Sequence, residues 1–462
     1  MCSRQFEKCD TGLASSRKPR SGVTMRKRSK KILLFPGCVA LYRFVDYEVA
    51  ARKVLEALGL EVLSPGTALC CGAFLEGRHP HWMRYSAFIL AEAARREAFV
   101  VTLCGGCANA FARTRQTLSA DSGAGADLKD WLHSQGFEDR DPADSMHLLE
   151  FLTIRREELA RGIVCSLPWR VAPVYPCQVF RPGPVMGFDD PLRPRSLDDL
   201  IRLAGAQVVE YPLKYSCCGA SAEIDGPAVA HGLARARLDQ LRAARARVLV
   251  TACGNCHRLL QKLQPLYAPG PFFPGLFIPQ LLGLAMGMTP EALRLDRRVV
   301  RALGYDEAPQ AIAVYDAAAA ASSRQGPAPG RRRPASSGRS RRCTECGACR
   351  GVCPVERGGW PSLAAEMLDA KAGPGHCSNC WLCHEVCPEG VDVWRRRLET
   401  LARHPLSAAR RESLEEVARS GFCLPIGEET NEYRVFSGLP PVGLPTLELL
   451  KLLEFSMADV SK

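Results

Sequence analysis

The chain contains the stretch VTLCGGC at residues 101–107 and repeats it as VTACGNC at residues 250–256. Two further motifs recur before it in the same order, a single cysteine after a proline-containing turn and a Cys-Cys-Gly-Ala tetrapeptide: Cys38 and Cys177, and residues 70–73 and 217–220. A repeat of three spaced motifs indicates two similar structural modules that follow one another along the chain.

The segments around the cysteines predict an α/β fold class with parallel strands. Short apolar runs before the cysteines predict buried strands at Ile32–Phe35, Phe99–Leu103, Val171–Tyr175 and Val248–Val250. Stretches rich in Ala, Leu and Arg predict helices at Arg84–Ala98 and Ala228–Arg245. Such sheets bind ligands at the carboxyl ends of their strands, where these cysteines lie. We assign residues 31–165 to the first module and residues 166–305 to the second.

Each module offers five cysteines, one more than a cubane cluster needs. The two sets are Cys38, Cys70, Cys71, Cys104 and Cys107, and Cys177, Cys217, Cys218, Cys253 and Cys256. Adjacent cysteines can bind two irons of one larger cluster, and Gly72 and Gly219 permit a close backbone approach. Taken alone, Cys104-x2-Cys107 could be a thioredoxin-type dithiol and Cys70-Cys71 a vicinal disulfide. Two complete copies favour a metal cluster.

A different cysteine pattern, Cys-x2-Cys-x2-Cys-x3-Cys-Pro, occurs at residues 343–354 and again at residues 377–388. The paired run is typical of bacterial two-cluster ferredoxins, in which the fourth cysteine of each run binds the other cluster. This similarity implies two cubane [4Fe–4S] clusters, one on Cys343, Cys346, Cys349 and Cys387 and one on Cys377, Cys380, Cys383 and Cys353. Zinc ribbons, the alternative, use two separated Cys-x2-Cys pairs and leave the other cysteines unexplained.

We therefore predict a small two-[4Fe–4S] ferredoxin-like domain of helices and loops at residues 343–395, followed by a helical C-terminal extension at 396–462. The net charge of +12 comes from residues 1–30 and 323–342, which each carry seven net positive charges. We interpret residues 1–30 as a basic disordered tail and residues 306–342 as an Ala/Pro/Gly/Arg linker. Both are expected to be solvated rather than bound to nucleic acid.

The 22 cysteines indicate metal or redox chemistry in a reducing compartment, because residues 1–30 contain no apolar secretory segment. We therefore expect a cytoplasmic protein. Residues 269–288 carry no charge, but Pro271, Pro274 and Pro279 interrupt them. A membrane span needs about twenty apolar residues, so we predict no transmembrane segment and interpret this stretch as buried core or interface.

Residues 31–302 resemble the B subunit of heterodisulfide reductases, and residues 343–445 resemble the C subunit. The resemblance includes the cysteine sets, Ile278–Ala285 with Thr289-Pro290-Glu291, Cys377–Trp381 and Gly421–Gly427. We call the two modules CCG modules, after their Cys-Cys-Gly motif. The resemblance implies that each CCG module holds a noncubane [4Fe–4S] cluster on its five cysteines. It also implies that the two clusters face each other and that a disulfide substrate is cleaved between them.

The resemblance further implies an electron route and partners. A flavin-containing A subunit would supply electrons to the cubane clusters, which would pass them to the CCG clusters, where a disulfide is reduced to two thiols. The substrate is expected to be a disulfide or thiol, or a thiol-carrier protein, and the enzyme class an oxidoreductase acting on a disulfide. The alternative is an electron-transfer conduit subunit of another oxidoreductase complex, with no disulfide chemistry of its own.

Some residues depart from the family pattern or lie outside it. Gln178 follows Cys177 where the B subunit often has histidine, and glutamine cannot donate a proton by titration. Arg181 and Lys214 are either binding residues for an anionic thiol or solvated surface residues. Cys165 and Cys423 lie outside every motif, so each is expected to be a small buried apolar residue.

Overall fold

A computed structural model describes residues 30–120, 123–137, 141–268, 270–304, 343, 346–362, 377–393, 395, 397–399, 404–455 and 457. Of the predicted basic tail, residues 1–30, only Lys30 is described. The predicted linker lies outside the described residues. The domain boundaries proposed above stay predictions.

The first module is a four-stranded parallel sheet of order β2-β1-β3-β4 flanked by helices. Its strands are β1 (Lys31–Phe35), β2 (Glu61–Leu63), β3 (Phe99–Thr102) and β4 (Ser145–His147). Its helices are α1 (Gly37–Arg43), α2 (Val45–Ala57), α3 (Met83–Arg95), α4 (Gly105–Leu118), α5 (Gly123–Ser134), α6 (Leu148–Ile154) and α7 (Arg156–Gly162). In β1, Leu33 pairs with Leu63 on one side and with Val100 on the other. Strands that are buried on both faces explain the continuous apolar runs of the sequence.

The second module repeats this sheet with the order β6-β5-β7-β8. Its strands are β5 (Arg170–Val174), β6 (Gln207–Val208), β7 (Val248–Thr251) and β8 (Gly275–Phe277). Its helices are α8 (Cys177–Phe180), α9 (Gly183–Met186), α10 (Ser196–Leu203), α11 (Pro227–Ala243), α12 (Gly254–His257), α13 (Gln264–Tyr267), α14 (Ile278–Ala285) and α15 (Arg297–Ala302), with a 3-10 turn at Ala220–Ala222 and a π-turn at Arg258–Lys262. The predicted α/β class of both modules is confirmed.

The two modules share one hydrophobic core and are not separated by a hydrated interface. Buried residues of β1, α2 and β3 pack with buried residues of β5, α10 and α14 in a single cluster. Tyr47 of α2 stacks on Phe277 at a ring-centroid distance of 3.9 Å, and its hydroxyl donates to the Ala252 carbonyl at 3.0 Å. Helix α14, from the uncharged stretch noted in the sequence, is fully buried against α2. The shared core fixes the position of one module against the other.

The described residues from 343 onward include short helices that lie on both modules. They are α16 (Ala348–Val352), α17 (Pro354–Arg357), α18 (Leu382–Val386), α19 (Ala408–Ser420), α20 (Glu428–Phe436) and α21 (Leu447–Leu452). Val355 is fully buried in the core of the second module, whereas Leu414 and Val417 are fully buried in that of the first. Helices and loops agree with the predicted content, and the ferredoxin-like fold of this part remains a prediction.

Within the described residues, no helix combines the length and the apolar character needed to cross a bilayer.

Candidate functional site

The first cysteine site lies at the carboxyl ends of β1 and β3. Cys38 is in the first turn of α1, just after β1, and Cys104 precedes α4, just after β3. The two turns are in contact, because a Cβ placed on Gly37 would lie 3.0 Å from the Cys107 Sγ. Cys70 and Cys71 arrive from the loop after β2. The fold thus brings together five cysteines that are spread over 70 residues of sequence.

Four thiols of the first site, those of Cys104, Cys107, Cys71 and Cys70, form one hydrogen-bonded chain. Cys71 interacts with Cys107 and with Cys70, and the Cys107 hydrogen bond holds the pKa of Cys71 well below its usual range. The contact with Cys104 raises the pKa of Cys107, and the contact with Cys71 raises that of Cys70. A lowered pKa favours the thiolate, which is the form of cysteine that binds metal.

The second site repeats the arrangement with Cys177, Cys217, Cys218, Cys253 and Cys256. The Cys256 Sγ donates to the Cys218 Sγ at 3.2 Å, and the Cys177 and Cys217 sulfurs are 3.9 Å apart. Hydrogen bonds from Cys217 and Cys256 hold the pKa of Cys218 well below its usual range. Cys71 and Cys218 occupy the same position of the repeat and both have a lowered pKa, so the two modules resemble each other in electrostatics as well as in sequence.

A glycine after each adjacent cysteine pair makes the sharp turn that both sites need. Gly72 has φ of +82° and Gly219 has φ of +95°, a left-handed conformation that favours glycine. The Gly72 N–H donates to the Cys70 Sγ at 3.4 Å, and the Gly219 N–H donates to the Cys217 Sγ at 3.4 Å. A Cβ on Gly72 would overlap the Trp82 carbonyl oxygen. The turn therefore both permits the close packing and supplies an N–H to a sulfur.

The two sites contact each other through reciprocal glycine positions. A Cβ on Gly105 of the first site would lie 3.3 Å from the side chain of Val179, which is two residues after Cys177 of the second site. A Cβ on Gly254 of the second site would lie 3.3 Å from the Val39 side chain, next to Cys38 of the first. Each Cys-Gly-x-Cys turn thus packs on the first cysteine helix of the other module, as a pseudo-twofold relationship requires.

Backbone N–H groups and one phenol lie where the two sites meet. Hydrogen bonds from the Cys256 thiol and from backbone N–H groups, one of them at Gly105 of the other module, lower the pKa of Cys253 to about 6. Burial, with the Cys253 and Cys104 thiols nearby, raises the pKa of Tyr47 well above its usual range. Gln178 also lies here: a Cβ on Gly106 would be 3.1 Å from its Oε1.

The cysteines of the C-terminal part lie near one another, and their division into two ligand groups stays a prediction. Cys353 lies within electrostatic range of Cys377 and Cys380, and burial raises its pKa to about 12. Cys349 lies within such range of Cys343 and Cys346, and burial raises its pKa as well. Cys383 lies with the first of these groups, and the Cys387 Sγ accepts from the Val391 N–H at 3.3 Å. Helices α16 and α18, which carry the two runs, pack against each other.

One loop of the C-terminal part covers the second site directly. The Cys217 Sγ lies 3.6 Å from the Ser378 carbonyl oxygen, and the Cys380 thiol hydrogen-bonds with Cys217. Arg181 donates to the Cys380 carbonyl at 3.2 Å, and the Gln178 Nε2 donates to the Asn379 carbonyl at 3.1 Å. A ferredoxin-type cysteine is therefore in contact with a cysteine of the second module.

Several residues that the sequence left ambiguous now have defined positions. Arg181 and Lys214 are both buried, so neither is a solvated surface residue. Lys214 forms ion pairs of 2.6 Å with Asp198 and with Glu210. Cys165 is buried as expected, and its thiol donates to the Leu284 carbonyl at 3.0 Å.

Cys423 differs from its expected role. Its Sγ lies 3.3 Å from the Cys38 Sγ, so this cysteine joins the first site instead of serving only as apolar filling. Nothing in the sequence singled it out from the other cysteines outside the motifs, because Cys423 is 385 positions from Cys38 along the chain.

The donor sets fit iron–sulfur clusters. Both CCG sites are built from sulfur donors that are mostly buried at strand ends, with backbone N–H groups directed at sulfur. Sulfur ligands and N–H donors to them are the protein features that bind and tune such clusters. Among the described residues, no three His, Cys, Asp or Glu side chains form a group that could hold a single metal ion.

Comparison with known proteins agrees with the repeat. The cysteine-rich domain family CCG matches residues 32–112 and again residues 171–261. Each match contains the first cysteine, the adjacent pair and the Cys-Gly-x-Cys turn of one module.

Relatives of the whole modules belong to oxidoreductases with several subunits. The B subunit of the ferredoxin:CoB-CoM heterodisulfide reductase of Methanosarcina mazei is 28% identical over 59% of this chain and 94% of its own length. The C subunit of the same reductase is 27% identical over 22% of this chain and 70% of its own length. The membrane anchor of the 8-methylmenaquinol:fumarate reductase of Wolinella succinogenes is 26% identical over 59% of this chain and 98% of its own length.

These similarities and the shared cysteine geometry lead to one conclusion. The chain carries two CCG cysteine-rich domains, and its first and last parts are similar to the B and C subunits of heterodisulfide reductase.

Proposed function

We propose that this chain is the disulfide-reducing iron–sulfur subunit of a heterodisulfide reductase-like complex. The observation that supports this most strongly is the contact between the two five-cysteine sites through Gly105 and Gly254. A disulfide has two sulfurs, and two equivalent sites in contact are suited to act on both of them. The net reaction converts R–S–S–R′, two electrons and two protons into two thiols.

The cysteines of this chain would hold four iron–sulfur clusters. The five cysteines of each CCG site would hold one noncubane [4Fe–4S] cluster, and the C-terminal cysteines would hold two cubane clusters in the groupings described above. When bound, these clusters supply one-electron transfer. The peptide N–H groups of Gly72, Gly219 and Gly105 would stabilise negative charge on the sulfurs.

The position of the C-terminal part suggests the direction of electron entry. Cys343 and Cys346 are exposed, whereas Cys380 is buried against Cys217 of the second site. A flavoprotein partner would therefore donate electrons at the exposed Cys343 side, and the Cys380 loop would deliver them to the second CCG site. The buried Arg181 holds this loop through the Cys380 carbonyl.

The first test is the iron and acid-labile sulfide content of protein purified without oxygen. We expect about sixteen of each per chain, from four four-iron clusters. Cys71→Ser and Cys218→Ser should each remove about four irons, since each replaces a CCG ligand. Cys165→Ser is the matched control, because it removes a buried thiol outside both sites. About eight irons in the wild-type chain would contradict the proposal, because only the cubane positions would be filled.

The second test addresses the substrate. A thiol or disulfide that binds at the CCG sites should change the paramagnetic signal of the oxidised protein, and the Cys71→Ser variant should lose that change. If no thiol or disulfide alters any signal of fully loaded protein, the disulfide chemistry is wrong.

The second candidate is an electron conduit without disulfide chemistry, favoured by the similarity to a fumarate reductase component. It predicts full iron content, reduction of all four clusters by a partner flavoprotein and no effect of any thiol. Reduction titrations with and without thiols on the same preparation separate the two candidates.

A further inference from the structure

The loop between α19 and α20 brings a sixth thiol to the first cysteine site. Besides the 3.3 Å contact between Cys423 and Cys38, the Gly421 carbonyl accepts from the Cys70 N–H at 2.9 Å. The Phe422 side chain is 1% exposed and packs on Leu41 of α1. Ile426, three residues after Cys423, is buried in the same cluster as Phe422 and Leu41, so the loop is attached to the first module before and after Cys423.

The surroundings of Cys423 consist of thiols. Its hydrogen bond with Cys38 and its burial raise the pKa of Cys423, and the Cys70 and Cys71 thiols lie within electrostatic range. Among the described residues, Cys165 is the other cysteine outside the motifs; it donates to backbone carbonyls and has no thiol partner there. Apolar filling explains Cys165 but does not explain why Cys423 faces three cluster cysteines.

The same face of the second site is covered by another cysteine of the C-terminal part. Cys380 contacts Cys217 and lies within electrostatic range of Cys177. Cys217 and Cys177 are the counterparts of Cys70 and Cys38 in the repeat. Cys380 belongs to the ferredoxin-like pattern, whereas Cys423 belongs to no pattern and is available as a donor.

We propose that Cys423 is a sixth sulfur donor to the iron–sulfur cluster of the first CCG site, contributed by the C-subunit-like part. This rests on the proposed function, because it requires a cluster on the first five cysteines. The two CCG sites are then chemically different. The first has Cys423 as an additional donor, whereas Cys380, the neighbour of the second, would be a ligand of a cubane cluster. Loss of Cys38 is tolerated in the first site, while loss of Cys177 is not tolerated in the second.

The experiment compares iron and sulfide content of anaerobically purified full-length variants. Cys177→Ala should lose about four of about sixteen irons. Cys38→Ala should retain them because Cys423 replaces the missing ligand, and the double variant Cys38→Ala/Cys423→Ala should lose about four. Cys423→Ala alone should alter the paramagnetic signal of one cluster.

Two controls distinguish ligation from packing. Phe422→Leu perturbs the same loop without removing sulfur and should leave iron content and signal unchanged. Cys165→Ala removes a buried thiol elsewhere and should also have no effect. The proposal is overturned if Cys38→Ala loses as much iron as Cys177→Ala while Cys423→Ala leaves iron and signal as in the wild type. A wild-type chain with about eight irons would overturn both this proposal and the proposed function.

Discussion

Arg434 of α20 forms a bidentate ion pair with Glu48 of α2, and both side chains are completely buried. The Nη1–Oε2 and Nη2–Oε1 distances are 2.6 and 3.0 Å. The Arg434 Nε also donates to the Pro440 carbonyl at 3.2 Å. This pair joins the C-subunit-like part to the first CCG module, on the side that also carries the Cys423 loop. It makes the two parts one structural unit.

Arg434→Met should destabilise the protein by about 3 kcal/mol, because it leaves the Glu48 carboxylate buried without its main partner. Arg52, which lies 3.9 Å from Glu48, compensates only in part. The measurement is the free energy of unfolding in denaturant. In the double variant Glu48→Gln/Arg434→Met no charge is left buried, so the loss should be smaller. An equal loss in the single and double variants would contradict this account.

Gly72→Ala should destabilise the protein and reduce the iron content of the first site. The substitution places a Cβ at a φ of +82° and against the Trp82 carbonyl oxygen. The matched control is Gly59→Ala, whose φ is +75° but whose Cβ would meet no atom within 4 Å. Gly59→Ala should cost about 1 kcal/mol, which is the effect of the left-handed conformation alone.

The Gly72 variant should cost at least twice that amount, since overlap with a backbone atom adds to the conformational term. Thermal unfolding and iron analysis of both variants check this. If the two variants lose the same stability and both retain iron, the close approach at Gly72 has no role in the site.

The sheets and the repeat of the CCG modules were predictable because both depend on local pattern. The strand predicted at Ile32–Phe35 occurs at Lys31–Phe35, and the one predicted at Val248–Val250 occurs at Val248–Thr251. The apolar run marks the strand, and the cysteine that follows marks its carboxyl end.

The contacts of the C-terminal part with the modules were not predictable. The partner of Cys423 is 385 positions away, and the buried state of Arg181 depends on carbonyls of the distant Cys380 loop. Such pairings follow from how separate segments dock, and no periodicity or spacing in the sequence encodes them.

Arg181→Met should lower the reduction potential of the cluster held by the second CCG site. The Arg181 charge lies within electrostatic range of Cys177 and Cys380, and reduction adds negative charge there. If the lost interaction is about 1.4 kcal/mol, the potential falls by about 59 mV for one electron. The check is a redox titration followed by paramagnetic resonance.

Lys214→Met is the matched control for Arg181, because Lys214 is a buried cation of the same module that is neutralised by Asp198 and Glu210. We expect it to reduce stability without shifting the potential. Arg181→Lys should keep most of the wild-type reduction potential, since it retains the charge. It should also loosen the Cys380 loop, because it changes the hydrogen bond to the Cys380 carbonyl. Equal potentials in the wild type and Arg181→Met would exclude an electrostatic role for Arg181.

Asp46→Asn should stabilise the protein at neutral pH. Asp46 lies in a cavity with His257 and Gln280, and burial raises its pKa from 3.8 to about 6. A raised pKa means that the folded state favours the protonated form. The contribution of Asp46 to stability is therefore complete below about pH 4 and is lost as the pH rises through about 6.

The asparagine variant removes this loss and can still accept from the Gln280 amide, which now lies 3.0 Å from the Asp46 Oδ2. Its advantage in unfolding free energy should grow between about pH 4 and 6 and reach about 3 kcal/mol at pH 7. Asp296→Asn is the control of opposite sign, because hydrogen bonds from Arg298 outweigh partial burial and lower the pKa of Asp296. That variant should be less stable than the wild type at pH 7, and a stability difference for Asp46→Asn that does not change with pH would show that Asp46 is not the titrating group.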